Sequence, residues 1–376
     1  ISSRPEMAPK DGIDIVTTID ISIQGAAENA LREQLSIDST FEGATAVVME
    51  VSSGAIRAIV NMKKMQNGSY DETFNYAISE STNPGSTFKL ATLIALLEDG
   101  YVRLSDSIET GKNGWRYYGK TFTEASGSLG TISVQQAFEK SSNVAFARLA
   151  VDKYGNREKQ FINRLYNMKL NERLNIELIG EGRAQIPFPG EAGWSRLSLP
   201  MIAMGYEMKL TPLHVLTFYN AIANNGRMVT PYFIESFMQH GRVVEQFEHT
   251  PLSGTLCTSS TLKAVHAALR GVVEQGTASR INDKRYSISG KTGTAQIAYD
   301  GGFVHNGYRK HQASFVGFFP SEDPKYSMIV ILYSSPTRGN FYGASWAAPV
   351  FKKIADHIYI TNPFWNAPLE APRKAS

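Results

Sequence analysis

The stretch that decides the fold is Asn83-Pro84-Gly85-Ser86-Thr87-Phe88-Lys89, together with the apolar run LATLIALLEDG that follows it from Leu90 to Gly100. Pro84 and Gly85 are turn formers, so a helix is predicted to begin at or near Ser86, with the serine at the positive end of the helix dipole. Lys89 stands three residues further on. That spacing puts both side chains on one helix face, Cβ atoms roughly 5–6 Å apart, close enough for the amine to take the hydroxyl proton. The run after Lys89 is apolar nearly all round and holds no second lysine, which predicts a buried helix. Burial lowers a lysine pKa from its usual value of about 10.4, and a neutral lysine is a base.

Ser-x-x-Lys is a weak pattern on its own, because Ser260-Thr261-Leu262-Lys263 repeats it. The second copy lacks the Pro-Gly turn and opens a helix with further polar residues. It is predicted to be a helix N-cap with a solvated lysine.

Working outward, the 376 residues are 42% hydrophobic and 11% aromatic, enough for one large core or two modest ones. The net charge of +3 comes from 38 basic and 35 acidic residues spread along the chain. That spread excludes the clustered basic footprint of a nucleic-acid binder. A single cysteine, Cys257, excludes an internal disulfide and any cysteine-based metal cage, and reads as a core thiol. No apolar window of about 18 residues occurs. The first residue is Ile1, and the chain reads as the excised soluble portion of something longer.

Residues 1 to 12 read as a linker, DIVTTID as a short strand and ISIQGAAENALREQL as a helix. GATAVVMEVSSGAIRAIVNM reads as a hairpin about Ser52-Ser53-Gly54, apolar enough for a central place in a sheet. The middle of the chain is helical, with stretches such as SVQQAFEK, VAFARLAVDKYG and PLHVLTFYNAIANNG. Strands return as RYSISGKTGTAQIA, HQASFVGFFP and KYSMIVILYS before an amphipathic helix at SWAAPVFKKIADHIY. Two early strands plus three late ones around a helical insertion predict an α+β fold, a five-stranded antiparallel sheet covered by helices.

Two further motifs join Ser86 and Lys89. Ser141-Ser142-Asn143 lies between two helical patterns, where it either caps a helix or points a hydroxyl and a carboxamide into a cleft. Lys291-Thr292-Gly293-Thr294 sits in a strand pattern with Gly290 and Gly293 flanking the Lys-Thr pair, and glycine in a strand marks close approach by another backbone. Thr292 and Thr294 then face one side, where their hydroxyls can bind a carboxylate with Lys291 supplying positive charge. A peptide could lie along this edge as an added strand; the other reading is a bulged edge strand with a solvent-facing lysine. His305 and His311 lack carboxylates at ligand spacing and read as loop residues, so no metal is expected. Trp115, Tyr117 and Tyr118 read as loop anchors, and Trp346 and Phe351 as core.

Ser-x-x-Lys, Ser-x-Asn and Lys-Thr-Gly in this order resemble the signature of penicillin-recognising serine enzymes. Ser86 and Ser141 are 55 residues apart, and Asn143 and Lys291 are 148 apart; the second interval resembles a transpeptidase with a large helical insert. The deacylating Glu-x-x-x-Asn element of class A β-lactamases has only an ill-spaced look-alike in Glu172-Arg173-Leu174-Asn175. NPGSTFK, GTISVQQAFEKSSNVAFARLA, GYEMKLTPLHVLTFYNAIANNG, GVVEQGTA, SGKTGTAQ and ASFVGFFPSEDPKY are similar to class B, monofunctional penicillin-binding proteins, most of all the cell-division (septal) type.

The resemblance implies a β-lactamase/DD-peptidase-like fold over residues 21–365. Residues 1–20 would be the remnant of an absent anchor and pedestal region, and 366–376 a tail. It implies Ser86 as nucleophile, Lys89 as base, Ser141 as proton relay, Asn143 as holder of the substrate amide and Lys291 as tuner of Ser141 and the substrate carboxylate. Thr292, Gly293 and Thr294 would bind substrate, with backbone N–H groups of Ser86 and Thr294 as oxyanion hole. No cofactor is implied. The implied partners are D-Ala-D-Ala stem peptides, β-lactams, a membrane glycosyltransferase and divisome proteins, with no nucleic acid, and the implied location is the outer side of a bacterial cytoplasmic membrane. The alternative within the same fold is a β-lactamase or a penicillin-binding sensor domain.

Overall fold

The computed structural model describes residues 12–125, 127–247, 254–297, 310–334 and 341–362. Its centre is an antiparallel sheet. The strands are β1 (Phe41–Glu50), β2 (Ile56–Lys64), β3 (Tyr70–Asp71), β4 (Ser289–Ile297), β5 (Lys310–Phe319) and β6 (Tyr326–Ser334), in spatial order β4-β5-β6-β1-β2-β3. Five of them are the strands expected from sequence. The sixth, β3, is a correction: two residues pair with Lys63 and Lys64 at the far edge, too short to leave an alternating pattern.

β1 and β2 turn at Gly54, whose φ of 85° needs a residue without a side chain. β6 pairs with β1 from Tyr326↔Glu50 onward, which joins the two ends of the chain. Strand alternation splits β5 between the two faces. Phe315 and Phe319 meet the ring of Phe351 on the helix Gly343–Thr361, and Phe318 meets His266 on the helix Ser259–Glu274. Helices therefore cover both faces. Asn220, buried on the helix Pro212–Ala223, receives the Ser327 hydroxyl of β6 at 2.7 Å and donates to Val51 O at 3.1 Å. Phe351 is core, as expected; Trp346 is half-buried against Phe41, centroids 5.0 Å apart.

Smaller sheets surround this body. Asp14–Thr17 pairs with Ile234–Gln239, which pairs with Arg242–Gln246. The expected linker thus lies outside the described residues only as far as residue 11, and its last part is already sheet; the expected tail and His305 also lie outside them. Trp115, Tyr117 and Tyr118 belong to a hairpin, Trp115–Tyr117 against Lys120–Phe122, rather than a loop, because Tyr118 (φ 41°) and Gly119 (φ 81°) make a tight turn. Their rings pack on one another, and Trp115 and Tyr117 also pack on the cluster of Phe122, Val144, Ala147 and Met204. His311 is likewise a strand residue of β5, beside Phe341. The second Ser-x-x-Lys copy has its cap two residues early: Thr258, not Ser260, accepts from Thr261 N, while Lys263 is exposed as expected. Among the described residues no helix is long and apolar enough to cross a membrane.

Candidate active site

Ser86 does not open an α-helix. It lies in one 3-10 turn, Gly85–Phe88, that runs into α1 (Lys89–Glu98). In a 3-10 turn side chains at i and i+3 eclipse, so Ser86 and Lys89 still share a face. Long-range bonds hold the turn. Gln312 Nε2 of β5 donates to Asn83 O at 2.7 Å, Tyr219 Oη donates to Thr87 O at 2.7 Å, and Gly85 N donates to Gly205 O at 3.0 Å. Gly85 has φ 58°, and a Cβ there would stand 2.9 Å from Ala295 Cβ and 3.0 Å from Thr294 O. The serine turn therefore lies directly against β4.

Ser141 follows α2 (Val134–Glu139) and precedes α3 (Asn143–Tyr154). Its φ of 57° is the left-handed conformation that reverses the chain between the helices. Ser142 caps α3, accepting from Ala145 N at 3.0 Å. Both readings of Ser141-Ser142-Asn143 thus hold at once: the second residue caps, and the first and third line the cleft.

Lys89 and Lys291 are both fully buried and converge on this loop. Lys89 Nζ donates to Ser141 O at 2.7 Å and Asn143 Oδ1 at 2.7 Å, with Ser141 Oγ at 3.4 Å. Lys291 Nζ donates to Ser141 Oγ at 2.8 Å and to Thr292 O at 3.0 Å. Phe146 and Phe138 wall the two amines, 5.8 Å and 5.7 Å from the ring centroids. Burial pulls the Lys89 ammonium down to about 7, against an opposing pull from the Glu124 carboxylate. Burial, and then the neighbouring Lys89 charge, hold Lys291 well below the usual lysine range. Two expectations change here. Lys291 is buried in the wall with its amine turned to Ser141, not a charge offered to solvent. And no hydrogen bond joins Lys89 to Ser86 among the described residues; spacing fixed the common face, while the Ser141 and Asn143 oxygens decide where the amine points.

Thr292 and Thr294 share one side of β4, as alternation requires. The Thr292 hydroxyl is 2.7 Å from that of Thr277, and Thr294 Oγ1 accepts from Gly343 N at 3.4 Å. Gly293 faces the other way, and a Cβ there would stand 2.2 Å from Ser314 Oγ and 2.9 Å from Thr87 Cγ2. This is the close approach its glycine announced. β4 is the outermost strand of the sheet, and its Thr292–Thr294 segment borders a cavity of about 620 Å³ that Ser86, Ser141 and Asn143 also line.

Glu124, Thr277, Tyr206 and Arg280 line the same cavity and were not picked out from sequence. Glu124 Oε2 accepts Asn143 N at 2.9 Å and its other oxygen accepts the Ser142 hydroxyl, so it fixes the loop that carries Ser141. Thr277 had one signal, the adjoining Gly276, whose Cβ would stand 2.5 Å from Glu139 O. Glu172 is exposed and pairs with Lys169, away from the cavity. Among the described residues no group of three or more His, Cys, Asp or Glu is placed to hold a metal ion.

A family model described as the penicillin binding protein transpeptidase domain matches residues 44–356. The chain is 27% identical over 365 residues to stage V sporulation protein D of Bacillus subtilis, covering 92% of this chain and 53% of that protein. It is 24% identical over 370 residues to the probable peptidoglycan D,D-transpeptidase PenA of Neisseria flavescens, covering 94% of this chain and 84% of that protein. The chain thus spans about half the length of the first relative and most of the second. Among solved structures, it resembles the apo transpeptidase domain of penicillin-binding protein 3 from Burkholderia pseudomallei (TM-score 0.76, 23% identity, 95% of this chain and 98% of that one). It also resembles penicillin-binding protein 3 from Mycobacterium tuberculosis in complex with aztreonam (TM-score 0.78, 25% identity, 96% and 81%). The family match runs from the first central strand into the last helix and takes in every motif of the cleft, and the chain belongs to the family of penicillin-binding protein transpeptidase domains.

Proposed function

We propose that the chain is the catalytic domain of a class B peptidoglycan D,D-transpeptidase that cross-links stem peptides through an acyl-enzyme on Ser86. The observation that carries this reading is the buried Lys89–Ser141–Lys291 cluster beside Ser86, facing a cavity bordered by an open strand edge. A stem peptide ending in D-Ala-D-Ala adds along β4 as a strand. Ser141 O and Asn143 Oδ1 take both hydrogens of neutral Lys89, which leaves its lone pair free for the Ser86 proton. Ser86 Oγ then attacks the penultimate D-alanine carbonyl, and backbone N–H groups of Ser86 and Thr294 receive the oxyanion. The tetrahedral adduct collapses by breaking the amide C–N bond. Ser141, accepting from Lys291, passes its hydroxyl proton to the departing D-alanine amine and takes from Lys89, 3.4 Å away, the proton that came from Ser86. A second stem-peptide amine attacks the ester, re-forms an amide and returns the proton to Ser86.

Water is a poor substitute for that amine, because Glu124, the one carboxylate among the described lining residues, is tied by Ser142 and Asn143 to the loop that carries Ser141 rather than held as a free base. This supports slow deacylation, and with it covalent trapping by β-lactams. In the same reading, the full protein is held at the outer face of a bacterial cytoplasmic membrane, acts in septal wall synthesis, and works with a membrane glycosyltransferase and divisome proteins.

The test is incubation with a fluorescent penicillin, followed by intact mass over hours and peptide mapping. One long-lived adduct on Ser86, with Ser260 unmodified, is the expected result. Rapid loss of the adduct points to a β-lactamase, and absence of any adduct ends the acyl-enzyme reading. The pH profile supplies a second check. Acylation should fall about tenfold per unit well below pH 7, as Lys89 is protonated, and level off above about pH 8. A profile with its only inflection above pH 10 would remove Lys89 as base.

A further inference from the structure

We propose that Arg280 is the residue that reads the terminal carboxylate of the donor peptide, and so sets the preference for donors that end in a free acid. The inference rests on the transpeptidase reading above. A carboxylate entering along β4 meets the Thr292 and Thr294 hydroxyls, which offer hydrogen bonds but no charge. The lysine of the same strand cannot supply it, since Lys291 is buried and turned toward Ser141. Lys89 is committed to Ser141 and Asn143.

Arg280 lines the cavity and is exposed, and among the described residues it forms no ion pair. Glu124, the one carboxylate among the described lining residues, is occupied by Ser142 and Asn143. The turn that carries Arg280 also adjoins the strand that receives the carboxylate. Arg280 sits in the 3-10 turn Ser279–Ile281, three residues beyond Thr277, whose hydroxyl is 2.7 Å from that of Thr292. Lys140, the other cation among the described lining residues, caps the C-terminus of α2 next to Ser141 instead. A guanidinium presents a planar fork that matches a carboxylate and stays charged at every working pH.

The experiment uses two D-alanyl thioester donors that differ only in a leaving group ending in a carboxylate or in its carboxamide, with thiol release followed spectroscopically. Wild type should favour the carboxylate by about 10- to 100-fold in kcat/KM, the range of a charge-assisted hydrogen bond. Arg280→Gln should lose that preference while changing the carboxamide rate less than threefold, and Arg280→Lys should keep part of it. Lys263→Gln, an equal charge change on an exposed helix face, should behave as wild type. If Arg280→Gln keeps the preference, or slows both donors alike, Arg280 does not read the carboxylate although the transpeptidase reading stands. If wild type acylates with neither donor, both readings fall.

Discussion

Replacement of Lys89 by methionine should lower the acylation rate by about 10²- to 10⁴-fold, the usual contribution of a positioned general base, and leave the protein folded. The side chain is fully buried and walled by Phe146, so a methionine of similar length meets apolar surroundings without a charge to desolvate. The loss on folding is confined to the donors that Ser141 O and Asn143 Oδ1 now receive, about 1–3 kcal/mol if neither finds a replacement. Thermal melting alongside the rate separates the two effects. Lys89→Arg is the sharper variant, because arginine keeps the donors and stays protonated; it should be as slow as the methionine variant. A rate within about fivefold of wild type in Lys89→Arg would show that the proton leaves Ser86 by another route.

The second large effect is expected at a residue outside the motifs. Gly205 has φ 86°, and a Cβ there would stand 2.1 Å from Gly85 O, 2.8 Å from Gly85 C and 2.9 Å from Gly85 N. All three are backbone atoms, so no side chain can swing aside. Gly205→Ala must push the Gly85–Ser86 peptide, and a displacement near 1 Å at a reacting group can cost on the order of 10²-fold. We expect at least that loss in acylation, with about 1–3 kcal/mol of destabilisation from backbone strain. Gly100→Ala is the control: its φ is 67°, but nothing lies within 4 Å of the added carbon. It should bear only the strain, about 1–2 kcal/mol, and acylate normally. Equal acylation rates in the two variants would mean that the serine turn tolerates movement.

How much of this was legible differs from element to element. β1, β2, β5 and β6 announced themselves because a strand buried on both faces is a nearly continuous apolar run. Asp14–Thr17 was legible as the short strand in DIVTTID, while the exposed Arg242–Gln246 left no pattern, and the partner of both, Ile234–Gln239, is fixed only by tertiary pairing. The motifs named all eight candidate site residues, and the fold brings Lys89, Ser141, Asn143 and Lys291 into one hydrogen-bonded group. What spacing could not give was the direction of the amines, which both turn to oxygens of Ser141 or Asn143, 52 or more positions away in sequence. Glu124 and Arg280 were silent for a related reason: one is in a loop and the other in a short 3-10 turn, and their meaning comes from what stands across the cleft.

The edge of β4, which no strand pairs among the described residues, also bears on solubility. An exposed strand edge is a template for other chains, and proteins commonly blunt it with proline or outward charge. Ser289–Ile297 has no proline, and its one charged residue type, at Lys291, points inward. What protects it is enclosure: the serine turn stands on one side and Gly343, seated 2.5 Å from Gly293 O at its would-be Cβ, on the other. An incoming strand must therefore fit between these two crowded neighbours, and the same enclosure that borders the cavity works against edge-to-edge pairing with other chains.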